Sequence, residues 1–407
     1  MDSGDNEVVV DFPQIIRVYK SGRVERLFGS STVPPSAEDP TTGVSSKDID
    51  ISPEIKARIY LPKLTNLRQK LPILVYYHGG AFCLESAFSF LDHRYMNRLV
   101  SESNAIVISV EYRLAPEYPL PIGYEDSWAA LQWVGSHVVN EPGFEKEPWL
   151  VNHGDFAKVF IGGDSAGGNI VYNISLRAGT ENLNGGIKIL GCLLCFPYFL
   201  TSKDFEEDSI PSKLWMFVNP SAENGVDDPR INPFVEKDRL SLLSCSKILV
   251  CVAEKDVLRN LGIQYVEAVK ESGWNGVIEL IDVEAYTSVA TDEKFDASAT
   301  LMNKEHYPSV ATDVECIVTD VESIAIDMDS ITKDMESVAT DVESDGIHQS
   351  SLSGGLIYSF VFFGGGVGVL GVGIGGIGGG LDGIGGGISC GGGGPSVTTG
   401  ERSIGRY

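Results

Sequence analysis

The segment Gly163-Asp-Ser-Ala-Gly-Gly-Asn169 holds a serine, Ser165, inside a G-x-S-x-G frame. An apolar run at 159–161 precedes it and a helix-like stretch begins at Ala166, the strand-to-helix context that a nucleophilic serine needs. Glycines at 163 and 167 suit a turn too tight for a Cβ, and such a turn lifts the hydroxyl above the sheet. The competing reading is an ordinary glycine-rich turn. Upstream, His78-Gly-Gly-Ala-Phe82 follows another apolar run, 73–77. Attack by serine on an acyl carbonyl builds an oxyanion, which backbone N–H groups stabilise without adding charge. Gly79 and Gly80 are candidate donors, with Ala166 at the N-terminus of the next helix as a third. His78 reads as a prop for this loop rather than as a general base. The chemistry is acyl transfer through a covalent serine intermediate.

Positioning these groups takes a sheet. Apolar runs at 73–77, 105–110, 158–162, 187–194, 247–252 and 277–283 alternate with stretches at 124–134, 166–177 and 258–272 that carry apolar residues at helical spacing. The alternation predicts an α/β protein with a mostly parallel, twisted sheet and helices on both faces. Residues 1–70 read as an N-terminal cap or edge segment with two antiparallel strands, 15–19 and 48–60. An irregular insert at 200–240 carries Trp215, Met216 and Phe217, and either roofs a pocket or packs on the surface.

Composition divides the chain of 407 residues. All five tryptophans precede residue 275, whereas more than half of the 46 glycines lie after residue 284. Residues 309–343 are successive heptads of the form Ser-(Val/Ile)-x-x-Asp-(Val/Met)-(Glu/Asp), with Cys316 once replacing serine. Their apolar 4-3 spacing is that of a coiled-coil seam, but aspartate flanks the seam throughout without a basic partner, which favours disorder. Residues 354–394 are about half glycine, a composition that disfavours a membrane helix. The net charge of −25, without basic clusters, excludes nucleic acid and anionic membrane as natural partners. An acidic N-terminus without a signal-peptide layout points to the cytoplasm. Cys192 and Cys195 form a C-x-x-C inside an apolar run, read as buried thiols rather than a metal or redox site.

Together, His78-Gly-Gly, Tyr112-Arg-Leu-Ala-Pro-Glu117 and Gly163-Asp-Ser-Ala-Gly-Gly168 resemble the plant carboxylesterases of the hormone-sensitive-lipase-like branch of the α/β-hydrolase fold, over residues 8–284. That family also contains the gibberellin receptor, which binds a hormone without hydrolysis, and a 2-hydroxyisoflavanone dehydratase, so membership leaves the reaction open. The resemblance implies a small-molecule ester or apolar ligand, no cofactor and no metal. It implies a triad in chain order Ser, Asp, His, with Ser165 as nucleophile and Asp256, in Ala253-Glu-Lys-Asp256, as the acid that orients the histidine. The alternative for Asp256 is a solvated loop carboxylate beside Lys255.

The third member departs from the pattern. Relatives leave the last strand through Gly-x-x-His, whereas here Ala285-Tyr-Thr-Ser288 comes next and puts Ser288 at the position of the histidine. The histidines are 78, 93, 137, 153, 306 and 348, so only the last two lie downstream. The resulting plan is an N-terminal segment (1–70), an α/β-hydrolase domain lacking its final histidine loop and helix (71–284), an acidic heptad segment (285–353) and a glycine-rich tail (354–407). The expected function is a carboxylesterase-type scaffold with impaired hydrolysis. Its alternatives are a receptor-like binding module, or a truncated or mis-spliced product whose C-terminus was replaced by repeat-derived sequence. Loss of the final helix further predicts an uncovered apolar face on the sheet.

Overall fold

The computed structural model describes residues 6–139 and 142–283. Ser288, the heptad segment and the glycine-rich segment lie outside the described residues. Strands β1 (Val8–Phe12), β2 (Ile16–Tyr19) and β3 (Val24–Arg26) make a small antiparallel sheet. The main sheet contains β4 (Ser45–Asp50), β5 (Lys56–Leu61), β6 (Leu71–Tyr77), β7 (Ile106–Glu111), β8 (Gly154–Asp164), β9 (Ile189–Cys195), β10 (Lys247–Ala253) and β11 (Val277–Val283). Among the described residues six α-helices accompany them: α1 (Phe90–Ser103), α2 (Ile122–Ser136), α3 (Pro148–His153), α4 (Ala166–Ala178), α5 (Ile210–Val218) and α6 (Arg259–Glu271).

The strand order is β11-β10-β9-β8-β6-β7-β5-β4. Strands β6 to β11 run parallel, while β5 is antiparallel to both β7 and β4. This is the mostly parallel α/β-hydrolase sheet expected from the alternating runs, and its central strands are apolar because both faces are covered. Adjacent residues on a strand point to opposite faces. Tyr76 meets Tyr95 of α1 at 5.7 Å between ring centroids. Tyr77 instead donates its hydroxyl to the Ser127 carbonyl of α2 at 3.1 Å. Helices α1 and α2 therefore lie on opposite faces.

Two expectations at the N-terminal side need correction. Residues 48–60 are not one strand but the hairpin of β4 and β5, reversed at Ser52, whose hydroxyl accepts the Ile55 amide at 3.1 Å. Residues 15–19 do not pair with it; β2 pairs with β1 and β3 in the small sheet. Helix α1 is an addition to the expected elements. Ser89 caps it by accepting the Asp92 amide, and its buried face mixes Met96, Leu99 and Val100 with His93, Asn97 and Ser103, which blurs the apolar period.

At the far edge, Ile281 pairs with Cys251 and thus shares the α1 side of the sheet with Val277 and Glu279. Val277 is 55% exposed there, while Leu249 and Cys251 on β10 remain buried. Among the described residues, Val277 and Leu280 are the exposed large apolar side chains of this edge strand. The five cysteines among the described residues are reduced and buried. Cys192 and Cys195 stand three apart on β9 and so face opposite sides, unable to share one ion or one bridge. Among the described residues no helix is long and apolar enough to cross a membrane.

Candidate active site

Strand β8 delivers Ser165 and α4 begins on the next residue. Ser165 has φ 50° and ψ −110°, a conformation that costs a non-glycine residue roughly 1–3 kcal/mol. Three backbone bonds pin it there. Its amide donates to the Cys195 carbonyl at 2.9 Å, and its carbonyl accepts the Tyr198 amide at 2.9 Å and the Asn169 amide at 3.0 Å. A Cβ on Gly163 would lie 2.6 Å from the Tyr77 carbonyl oxygen, and one on Gly167 would collide with the same atom. The turn is thus closed against the end of β6. Ser165 is 1% exposed, and its Oγ has no hydrogen-bond partner.

The loop after β6 lies against this turn. Gly80, Ala81 and Phe82 all take positive φ, at 102°, 50° and 61°. That run releases their amides from the sheet ladder, and a Cβ on Gly80 would strike the Leu84 carbonyl. Gly79 and Gly80 sit together as the sequence suggests, with the Asp164 carboxylate packed against Gly79, where a Cβ would strike its Oδ2. Asp164 also accepts the Tyr76 hydroxyl at 2.9 Å, and burial pushes its carboxyl up to about 6. The amides of Gly80, Ala81 and Ala166 have no acceptor among the described residues. Sequence reasoning misses Ala81 and Asp164. The signal for both is positional: one completes the loop after two glycines, and the other precedes the serine.

His78 is a prop. Its ring stacks on Tyr112 with centroids 4.4 Å apart, and its Nδ1 bonds the Gly79 carbonyl at 2.8 Å. The Tyr112 hydroxyl donates to the His78 carbonyl at 2.7 Å, which fastens Tyr112-Arg-Leu-Ala-Pro-Glu117 to the loop. Burial drives the imidazole down to about 4, with the Gly79 carbonyl opposing, so it is neutral near pH 7. The insert at 200–240 contains α5, whose fully buried Trp215 lies 6.3 Å from the Phe82 ring. Phe217 of the same helix meets Phe12 of the small sheet at 5.4 Å. Insert and small sheet therefore pack beside the glycine loop.

Asp256 lies just past β10 and is only 8% exposed, which removes the solvated-loop alternative. Its Oδ1 accepts the Leu258 amide at 3.0 Å, while Oδ2 is buried without a partner. Burial raises this carboxyl to about 7, the Leu258 amide pulling the other way. Ser165 and Asp256 come from strands separated only by β9, so both groups lie at the C-terminal edge of one sheet. In an open α/β sheet that edge is where ligands bind.

Comparison with known proteins points the same way. A family model described as an alpha/beta hydrolase fold matches residues 74–285. A 2-hydroxyisoflavanone dehydratase of Glycyrrhiza echinata is 55% identical over 289 residues, covering 68% of this chain and 88% of that protein. A probable carboxylesterase of Arabidopsis thaliana is 43% identical over 290 residues, covering 69% of this chain and 90% of its own length. Among solved structures, a study of two fungal esterases from Rhizomucor miehei supplies a chain with TM-score 0.52 and 20% identity, covering 73% of this chain and 87% of that one. At that identity the likeness concerns the fold.

Proposed function

The chain belongs to the α/β-hydrolase fold family, among the plant carboxylesterase-type members of its hormone-sensitive-lipase-like branch, and from that premise we propose a serine hydrolase scaffold for small-molecule carboxylic esters with impaired turnover. Ser165 is the nucleophile of this reading. The observation that carries it is a buried, unpartnered hydroxyl held at positive φ on the residue that precedes α4. Its Oγ attacks the ester carbon, and the amides of Gly80, Ala81 and Ala166 take the oxyanion. Asp256 is the group that would orient a base. No histidine comes after β11 until His306, so proton removal from Ser165 is the deficient step. In serine proteases loss of a triad member costs on the order of 10⁴ to 10⁶ in kcat, which sets the scale of the deficit.

The test is covalent labelling by a fluorophosphonate together with turnover of p-nitrophenyl acetate, each against Ser165→Ala. Slow Ser165-dependent labelling and turnover are expected. Turnover no faster than in the alanine variant would defeat the hydrolase reading.

The 55% identity to a 2-hydroxyisoflavanone dehydratase favours a second reading, in which the site removes water from a hydroxylated ligand rather than adding it to an ester. Incubation with a 2-hydroxyisoflavanone and analysis for the dehydrated product separates the two. Saturable binding without either product would identify a non-catalytic binding module.

A further inference from the structure

Asn169 closes the segment that carries Ser165, and it has no part in the chemistry described so far. Its side chain is nonetheless fully buried and fully bonded. Nδ2 donates to the Tyr198 carbonyl at 3.0 Å and to the Arg230 carbonyl at 2.8 Å, while Oδ1 accepts the Tyr124 hydroxyl of α2 at 2.7 Å. Carbonyls only accept, so the amide has one orientation that satisfies both of them. A buried polar group with this many partners specifies one local arrangement.

These bonds close a ring on Ser165. The Ser165 carbonyl accepts the Asn169 amide at 3.0 Å and the Tyr198 amide at 2.9 Å, and Tyr198 turns its own carbonyl to the Asn169 side chain. Both backbone groups of Tyr198 are thus held from the elbow. The positive φ of Ser165 persists only where the surroundings impose it, and the ring encloses its carbonyl. The same residues reach the insert at 200–240. The Tyr198 hydroxyl donates to the Pro211 carbonyl of α5 at 2.5 Å. The Arg230 carbonyl is gripped a second time by Asn173 Nδ2, at 2.9 Å. Asn173 also donates to the Asn169 carbonyl at 3.0 Å and to Asn169 Oδ1 at 3.1 Å, and it stands outside the ring.

We propose that Asn169 is a positioning residue, which holds Ser165 in its strained conformation through Tyr198 and joins the insert to the nucleophile, so that the two keep one relative placement. The proposal rests on the reading of Ser165 as the nucleophile. Without Nδ2 the Tyr198 peptide loses one of its two ties to the elbow. The Ser165 carbonyl can then swing and carry Oγ off its line of attack, which lowers reactivity more than ligand affinity.

The experiment labels the full-length chain and its variants Asn169→Ala, Asn169→Asp and Asn173→Ala with a fluorophosphonate over a range of probe concentrations, which separates the limiting labelling rate from the apparent affinity. Exchange mass spectrometry follows segments 163–170 and 196–200 in the same preparations. Asn169→Ala is expected to lower the limiting rate by on the order of 10- to 10²-fold, with the apparent affinity changed by less than about threefold. It should also speed exchange in both segments. Asn173→Ala, which removes a tie to the insert and leaves the ring closed, should do neither.

Asn169→Asp keeps the shape and carries the comparison even where the alanine variant does not fold. A buried carboxyl takes up a proton readily and in that form donates one of the two lost bonds. Arg230 and Asp228, the charged side chains of the insert beside it, pair with each other at 2.6 Å and leave burial to set this titration. Its labelling rate relative to the wild type at the same pH should therefore recover from about pH 8 to about pH 5. An unchanged limiting rate in Asn169→Ala, an equal fall in Asn173→Ala, or no recovery of Asn169→Asp at the lower pH would overturn the proposal. A wild-type chain that takes no label at Ser165 would instead defeat the hydrolase reading, and exchange then decides the ring: faster exchange at 196–200 in Asn169→Ala alone keeps it, and equal exchange in the wild type and both alanine variants overturns it.

Discussion

Arg26 grips Glu117 with both terminal guanidinium nitrogens, Nη1 to Oε1 at 2.9 Å and Nη2 to Oε2 at 2.7 Å. The same side chain donates through Nε to the Cys83 carbonyl at 2.8 Å and through Nη2 to the Ala115 carbonyl at 3.1 Å. One residue at the end of β3 thus ties the small sheet to the glycine loop and to the segment that braces it. Partial exposure limits the ion pair itself to a small contribution, but the fork also satisfies two carbonyls that water would otherwise have to reach.

Arg26→Ala is expected to destabilise the protein by about 1–2 kcal/mol and to speed amide hydrogen exchange across residues 8–28 more than across β8 or β9. Arg26→Lys should recover little of this, because a lysine cannot form the planar fork. Urea unfolding and exchange mass spectrometry read both effects. Equal exchange in all strands would sink the tether.

Backbone strain at Ser165 predicts a stabilising substitution at the residue proposed to react. Ser165→Gly relieves the positive φ and should raise the unfolding free energy by about 1 kcal/mol while abolishing fluorophosphonate labelling. A lower urea midpoint in this variant would show that the turn is unstrained.

Crowding at the elbow gives a contrast between glycines. Gly167→Ala drives a Cβ into the Tyr77 carbonyl and should cost about 4 kcal/mol or more, leaving little soluble protein. Gly22, with φ +82° and open space around it, should tolerate alanine for about 1 kcal/mol of backbone strain. Expression yield and thermal midpoint rank the pair.

The buried carboxyl of Asp256 sets a pH dependence of known sign. Raised to about 7, it keeps a proton that the unfolded chain releases near pH ~4. Its contribution is therefore full below about pH 4 and is lost as pH rises through about 7. The depressed His78, neutral when folded, acts in the opposite direction at acid pH, so wild type alone gives a mixed profile. Asp256→Asn isolates the carboxyl: between pH 5 and pH 8 the wild type should lose on the order of 3 kcal/mol relative to this variant. Parallel urea curves at the two pH values would place the carboxyl outside the buried environment.

Periodicity and the G-x-S-x-G frame make the central sheet and its elbow legible. The run at 247–252 matches β10 closely because a strand buried between layers is continuously apolar, whereas 277–283 matches β11 through its Val and Ile residues although that edge strand is largely exposed. Helix α1 is hidden by His93 and Asn97, which point inward and pair through Nε2 and Nδ2 at 3.1 Å, a pairing no periodicity reports. The 48–60 hairpin is hidden because Ile51 and Ile55 continue the apolar pattern through the reversal. Within the candidate site, Ser165 is legible from its glycines. Asp256 requires a family resemblance, since burial is invisible in Glu254-Lys-Asp256. The packing of Asp164 against Gly79 is a contact across 85 positions and leaves no local trace.

The placement of β11 at the rim of the sheet bears on how such a chain can be inherited. Among the described residues, strands β6 to β10 each have a hydrogen-bonded neighbour on both sides, whereas β11 has one on a single side. A rewriting of the sequence beyond β11 therefore changes only residues past the outermost strand and leaves every interior ladder intact. In this topology the segment expected to carry a catalytic base is the one most easily exchanged without disturbing the rest. Mutation can silence the reaction and spare the scaffold, leaving a ligand-ready protein on which selection can act anew.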